Sequence, residues 1–223
     1  MRVVTGRTTL NEVLQEMVRE ERIKGLIATH EIDRALATSI ALGRTDLQTV
    51  LLRRRKNETL SSNYKRSCLE EGFQSGAPIV VALHGHQKVR GKIVGLEQYS
   101  FSFQEEGSTE VVELHKTLAK FAYDPAQYKE LRKFMGIDNQ VKKKNLEPIQ
   151  RVKERHHFKN MSLQRALDEQ LDVDVTTLEG DTFRGKVSWF GRWEFGLKFK
   201  GGLKVSVFRH GVYSLTILEP TRK

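Results

Sequence analysis

The spacing of hydrophobic positions changes partway along the chain. Over the first sixty residues it is helical. Leu10, Val13, Leu14, Met17 and Val18 share one face behind the capping box Thr9-Leu10-Asn11-Glu12, which predicts a helix ending at Gly25. A second segment opens at Thr29, carries Ile32, Ala35, Leu36 and Ile40 on one face, and closes at Gly43. Thr45-Asp46-Leu47-Gln48 reads as another capping box, leading Leu47, Val50 and Leu51 into the basic run Arg53, Arg54, Arg55 and Lys56. A glycine just past the last periodic residue is the usual left-handed stop. The expectation is a helical module over residues 1–60.

From Ala77 the period becomes two. Ile79 to Leu83 predicts a short buried strand, and Val89, Ile93 and Leu96 a second, with Gly91 and Gly95 allowing it to bend. Tyr99, Phe101 and Phe103 alternate with Gln98, Ser100 and Ser102, the pattern of a half-buried third strand. After a turn at 105–108, Val111, Val112 and Leu114 mark a fourth strand, and Leu118, Ala119 and Phe121 a fifth. The same order then returns. Val173 and Val175 open it, followed by Phe183, Val187 and Trp189, then Trp193, Phe195 and Leu197, a turn at 200–202, Val205 and Val207, and finally 212–218. Val89-Arg90-Gly91-Lys92-Ile93 parallels Phe183-Arg184-Gly185-Lys186-Val187, and Tyr99-x-Phe101-x-Phe103 parallels Trp193-x-Phe195-x-Leu197 at the same offset. Aligned this way, His115 matches His210. A short helical stretch precedes each copy, around 64–71 and 162–170. The predicted fold class is mainly β: two small five-stranded barrels, each preceded by a short helix, plus the N-terminal three-helix module. The domains would be 1–60 (helical), 61–124 (copy one), 125–160 (a helix from Pro125 to about Gly136, then a basic linker) and 161–223 (copy two).

Composition narrows the partners. The formal net charge of +10 favours polyanions, nucleic acid before acidic lipid. Residues 141–160 hold seven Lys or Arg against two Glu, so Lys142, Lys143, Lys144, Arg151, Lys153 and Arg155 are expected on a flexible basic connection. The longest apolar run, Ala77 to Leu83, is far short of the ~20 residues of a membrane helix. The first residues turn polar at once, so no signal peptide is expected, and the single Cys68 builds no disulfide framework; a cytoplasmic location and no membrane partner follow as expectations. His84 with His86, and the adjacent His156 and His157, lack further partners at metal spacing. No nucleophile motif and no glycine-rich phosphate loop occurs, so neither catalysis nor a metal or other cofactor is expected.

With those residues set out, a resemblance emerges. Gly180-Asp181-Thr182-Phe183-Arg184-Gly185-Lys186-Val187 resembles the second-strand motif of the Hfq and Sm-like (LSm) RNA-binding family, and Phe208-Arg209-His210-Gly211-Val212 resembles its strand-four signature. Copy one is similar through Val89-Arg90-Gly91-Lys92 and Leu114-His115-Lys116. The resemblance covers roughly 64–123 and 162–219, leaving the N-terminal helices outside. It implies Sm-like barrels whose fourth and fifth strands pair with neighbours. Three chains would then make a homotrimer that closes a pseudo-hexameric ring.

The resemblance also implies a uridine-binding pocket for single-stranded RNA. In copy two it would use Arg192, Trp193, Arg209 and His210: an indole for stacking, guanidiniums for phosphate. In copy one it would use Gln98, Tyr99 and His115, with Leu114 where a cation is expected; that copy either binds weakly or uses Lys116 from a shifted position. The alternative for Tyr99 and Trp193 is a place in the core, and for the two histidines a structural role. On the second face the matching residues are Lys88, Arg90, Thr182 and Arg184, although the family's strand-one aromatic is replaced by Val80 or Val81, and by Thr176. Three functions stay open: an RNA-binding post-transcriptional regulator or chaperone; a DNA-associated regulator whose helices, ending in Arg53, Arg54, Arg55 and Lys56, touch duplex; and a structural ring acting through protein contacts.

Overall fold

The computed structural model describes residues 9–156 and 158–219, so His157 of the histidine pair lies outside it. The chain forms two compact units that divide at Arg54 and Arg55.

In the first unit, α1 (Leu10–His30) has the expected capping box: the Glu12 N–H donates to Thr9 Oγ1 at 3.3 Å and the Thr9 N–H to Glu12 Oε2 at 2.7 Å. The helix does not stop at Gly25 but runs on to His30, and the left-handed residue is Glu31 at φ 51°. An interior glycine costs only about 1 kcal/mol, and continuing the helix lets Ile23, Leu26 and Ile27 pack with Ile32, Ala37, Ile40 and Val50. The second helix, α2 (Arg34–Ala41), starts later than Thr29 because Asp33 caps it, accepting from the Leu36 N–H at 2.8 Å. For α3 (Leu47–Ser62) the cap is Asp46, which accepts from the Thr49 N–H at 2.7 Å, in place of the expected box ending at Gln48. The stripe Leu10, Val13, Leu14, Met17 and Val18 faces solvent rather than a core.

The second unit is built on one antiparallel sheet. After α4 (Cys68–Ser75) come β1 (Ile79–Leu83), β2 (Gln87–Leu96), β3 (Ser100–Glu105), β4 (Val111–His115) and β5 (Ala119–Tyr123). Next are α5 (Tyr128–Leu131), β6 (Met135–Ile137), α6 (Asn139–Lys142) and α7 (Asn160–Asp168). Copy two follows as β7 (Asp172–Thr177), β8 (Asp181–Phe190), β9 (Glu194–Lys198), β10 (Lys204–Phe208) and β11 (Val212–Leu218). The strand order is β11-β7-β8-β9-β10-β5-β1-β2-β3-β4, with β6 added beside β8. This corrects the expectation of a mainly β chain with two separate barrels. The fold is mixed, with seven helices among the described residues, and its eleven strands make one open sheet. Both halves nevertheless carry the same order, fifth-first-second-third-fourth, and β10 of copy two pairs with β5 of copy one through Ser206 with Ala122 and Val207 with Phe121.

The junction explains why β1 and β5 are buried on both faces. Val80, Ala82, Phe121 and Tyr123 point into copy two's core, while Ile79, Val81, Ala119 and Ala122 point into copy one's. A charged group lies at the same seam. The Lys120 ammonium, 2% exposed, bonds Glu179 and, at 2.9 Å, Asp181. Glu179 also accepts from the Gly85 N–H at 2.5 Å.

The glycine of the repeated Arg-Gly-Lys motif has a packing role. β2 pairs with β1 through its first half and with β3 through its second, and Gly91 sits at the switch. A Cβ there would lie 2.0 Å from the Gln104 carbonyl oxygen; at Gly185 it would lie 2.9 Å from the Phe199 ring. Gly91→Ala is therefore expected to cost about 1–3 kcal/mol, read as a lower urea midpoint. An unchanged midpoint would show that the strands can part without loss.

The segment 125–160 is not a free tether. It packs on copy two because β6 occupies the edge that β8 leaves open at Asp181 to Phe183, and because Val141 is buried and Phe158 packs against Phe195. The helix expected from Pro125 is broken into short turns around α5 and ends in β6. Among the described residues no helix is long and apolar enough to cross a membrane.

Candidate nucleic-acid interface

The aromatic alternation resolves differently at its first position than at the rest. Phe101, Phe103, Phe195 and Leu197 are buried, whereas Tyr99 is 65% and Trp193 51% exposed. Each of these two residues sits just before its strand, so the core alternative fails for both. In each copy, the residue that opens the turn after strand four donates its backbone N–H to that aromatic's carbonyl: Lys116 to Tyr99 at 2.8 Å, Arg209 to Trp193 at 2.9 Å. This pairing corrects the alignment of the copies. Lys116 is the counterpart of Arg209, His115 of Phe208 and Thr117 of His210, since the 3-10 turns Lys116–Leu118 and Arg209–Gly211 occupy the same place. Copy one therefore has its cation at Lys116, two residues after Leu114, where the match of His115 to His210 had placed it.

In copy two a cavity of about 350 Å³ opens beside Trp193. Arg192 lies over the indole, 4.7 Å from its centroid. Arg209 stacks on Phe158 at 4.8 Å and donates to the Gly191 carbonyl at 3.0 Å and to Asn160 Oδ1 at 2.6 Å. Arg155 reaches the same cavity and donates to the carbonyls of Ile149 and Gln150. Among the described residues these guanidiniums bond only neutral oxygens, and no carboxylate lines the cavity. Burial alone lowers Arg209 to about 10 and depresses Arg155, with no acid offsetting it in either case. Uncompensated cations beside a half-exposed indole are suited to a flat, anionic ligand.

His210 does not join them. Its ring is buried at the seam, with Nε2 2.7 Å from the Ala119 carbonyl. A carbonyl only accepts, so Nε2 carries the proton. Burial holds His210 down at about 4, which keeps it neutral. In copy one, Gln98 Nε2 donates to the Tyr99 hydroxyl at 2.9 Å, and the Lys116 ammonium to the carbonyls of Glu97 and Gln98. His115 Nδ1 lies 2.7 Å from Thr117 Oγ1 and accepts from the Thr117 N–H, capping the turn.

The second-face candidates are engaged elsewhere. Arg90 pairs with Glu106 at 2.7 Å, and Arg184 holds Asp174 through two bonds of 2.7 and 2.8 Å. Lys88 lies over the Tyr128 ring, and Thr182 is covered by Gly136 of β6. A groove of about 930 Å³ lies along this face, where Lys133, Arg184, Lys186, Lys198 and Lys200 outnumber Asp172 and Asp174; Arg184, the one of them that belongs to the repeated motif's arginine position, is engaged by Asp174. Of the basic segment, only Arg155 reaches the Trp193 cavity. Lys142, Lys143 and Lys144 belong to α6 and its end, Lys144 lying over Tyr213; Arg151 pairs with Glu154, and Lys153 is exposed. The run Arg53 to Lys56 is likewise divided. Arg54 donates to the His30 carbonyl and Arg55 pairs with Asp168 at 2.9 Å; Arg53 is exposed and Lys56 half-buried. Sequence reasoning missed Phe158 and Asn160 as cavity residues, although an aromatic set among His156, Lys159 and Arg155 was a usable signal. Among the described residues no group of three or more His, Cys, Asp or Glu is placed to hold a metal ion. No protein-family model, curated protein or solved structure matches the chain, and what the cavity binds must be argued from its chemistry alone.

Proposed function

We propose that this chain is a non-catalytic, cytoplasmic Hfq-like binder of single-stranded, uridine-rich RNA, acting on RNA pairing or lifetime. The observation that carries this reading is the twofold recurrence of one arrangement: an exposed aromatic whose carbonyl is bonded by the N–H of a cationic residue from the next turn, Tyr99 with Lys116 and Trp193 with Arg209. Base stacking with nearby cations holds a single strand with little dependence on sequence. The repeated strand order supports two Sm-like barrels sharing one sheet. The β10–β5 seam is the strand-four to strand-five pairing that the resemblance implies between ring neighbours, here within one chain. Among the ten repeated strands, those left with one partner are β4 and β11, again a fourth and a fifth. Pairing β4 of one chain with β11 of the next would close three chains into six positions, and exposed Val111 and Val112 on β4 favour being covered.

The test is titration of labelled oligouridine at about 150 mM salt, near physiological ionic strength, with mass read by light scattering. A stacked base contributes about 1–3 kcal/mol, so Trp193→Ala should weaken binding roughly five- to hundredfold, Tyr99→Ala should weaken it in the same direction, and both variants should keep the three-chain mass. If both bind like wild type, the stacking role is wrong.

A further inference from the structure

The two aromatic sites are not equivalent, and the difference concerns phosphate. At Tyr99 the Gln98 amide bonds the phenol, and the nearby cation, the Lys116 ammonium, is already bonded to two carbonyls. At Trp193 three guanidiniums, Arg155, Arg192 and Arg209, line one cavity that contains no carboxylate. The first turn of α7 adds to this. Asn160 lines the cavity at the positive end of that helix, whose N-cap residue Lys159 brings no side-chain acceptor and no negative charge. The cavity is also confined. Val152, His156 and Asn160 wall it, and Phe158 backs it against Phe195. In copy one the residues ahead of α4, which precede the barrel as this stretch does in copy two, are engaged with copy two instead: Asn63 donates to the Phe190 carbonyl, and Ser67 and Cys68 to Glu194.

Size and charge then select the ligand. A volume of about 350 Å³ is at the low end of ligand pockets, which run ~300–1,000 Å³, and suits one nucleotide rather than a passing strand. An internal phosphodiester carries one negative charge. A terminal phosphomonoester carries about −1.5 to −2 at pH 7 and offers three acceptor oxygens to planar donor forks.

We propose that the Trp193 cavity is an end site, taking the terminal nucleotide of a strand with its base on the indole and a phosphomonoester on Arg155, Arg192 and Arg209, while the Tyr99 site holds the strand's interior. This rests on the RNA-binding reading above. The experiment compares full-length protein with hexauridine carrying a phosphate or a hydroxyl at the 5′ end, and separately at the 3′ end, the label being on the opposite end. Uridine monophosphate and uridine serve as unlabelled competitors. The expected result is at least tenfold tighter binding for a phosphate at one of the two ends, lost in Arg155→Gln and in Arg192→Gln, with the monophosphate competing and the nucleoside not. Equal binding of phosphate- and hydroxyl-ended strands overturns the end site and leaves RNA binding standing. Competition by the monophosphate without any gain for phosphate-ended strands also overturns it, in favour of a free mononucleotide site. Absence of binding by any strand removes the RNA reading itself. The wild-type comparison decides even if a variant folds poorly.

Discussion

Lys120→Met is expected to lower the unfolding free energy by about 3–5 kcal/mol, the usual cost of leaving buried charge without its partner. Methionine keeps the length and the apolar stem but withdraws the ammonium that bonds both Glu179 and Asp181. Glu179 is 10% exposed, too deep for water to replace the ammonium. The loss should appear as a lower urea midpoint. Adding Glu179→Gln to Lys120→Met should recover part of it, because one uncompensated carboxylate is then gone. A single variant as stable as wild type would show that the seam relaxes enough to hydrate both acids. The counterpart of Lys120 in copy two is Tyr213, since Ala119 and Val212 occupy the same place after their 3-10 turns. The ion group thus belongs to the seam within the chain, and a seam formed by β11 with another chain would not repeat it. That difference would help keep the two kinds of pairing distinct, a use of buried charge for specificity rather than for net stability.

Acid should weaken the same seam in two stages. Burial lowers His210 from an ordinary 6.5 to about 4. Between those values the unfolded chain takes up a proton that the folded chain refuses. Stability is therefore complete above pH 6.5 and declines as pH falls towards 4, by a total of roughly 3 kcal/mol from this group. His84 is also held below the usual histidine range by burial and adds to the slope. Glu179 follows lower down. Burial pushes its carboxyl up, but the Lys120 ammonium and the N–H groups of Gly85 and His86 outweigh that and leave it below the ordinary carboxylate range. A depressed carboxylate contributes stability above its unfolded value and loses it as pH falls through the folded one. Urea unfolding from pH 7 to 4.5 should therefore show a falling midpoint. His210→Gln, whose amide can still donate to the Ala119 carbonyl, should flatten most of the decline. A wild-type protein equally stable at both ends of that range would mean that His210 is not sealed at the seam.

Much of this architecture can be read from residue spacing. Alternation at Phe101, Phe103, Phe195 and Leu197 was sufficient to predict buried strand faces, because a strand's side chains must alternate wherever one face is covered. The repeated Arg-Gly-Lys marked two copies of one unit, and the structure gives its glycine a steric reason. Spacing did less well where competing local signals exist. Gly25 resembled a stop, yet the packing of Ile23, Leu26 and Ile27 carried α1 past it. His115 matched His210 by letter, but only the hydrogen bonds of Lys116 and Arg209 to their aromatics revealed that the match was two residues out of step.

What the sequence determined by itself, then, was the element types, the duplication, the excess of positive charge and the identity of the two exposed aromatics' neighbours, all of which depend on residues close together in the chain. Tertiary structure decided what depends on distant residues meeting. It merged the ten repeated strands, with β6, into a single open sheet by pairing β10 with β5, and it buried β1 and β5 on both faces. It also placed His210 in the seam and brought Arg155 and Phe158, about 35 residues away from Arg192 in sequence, to the Trp193 cavity. Burial and unpaired charge arise only when remote segments exclude water together, and no local pattern encodes them.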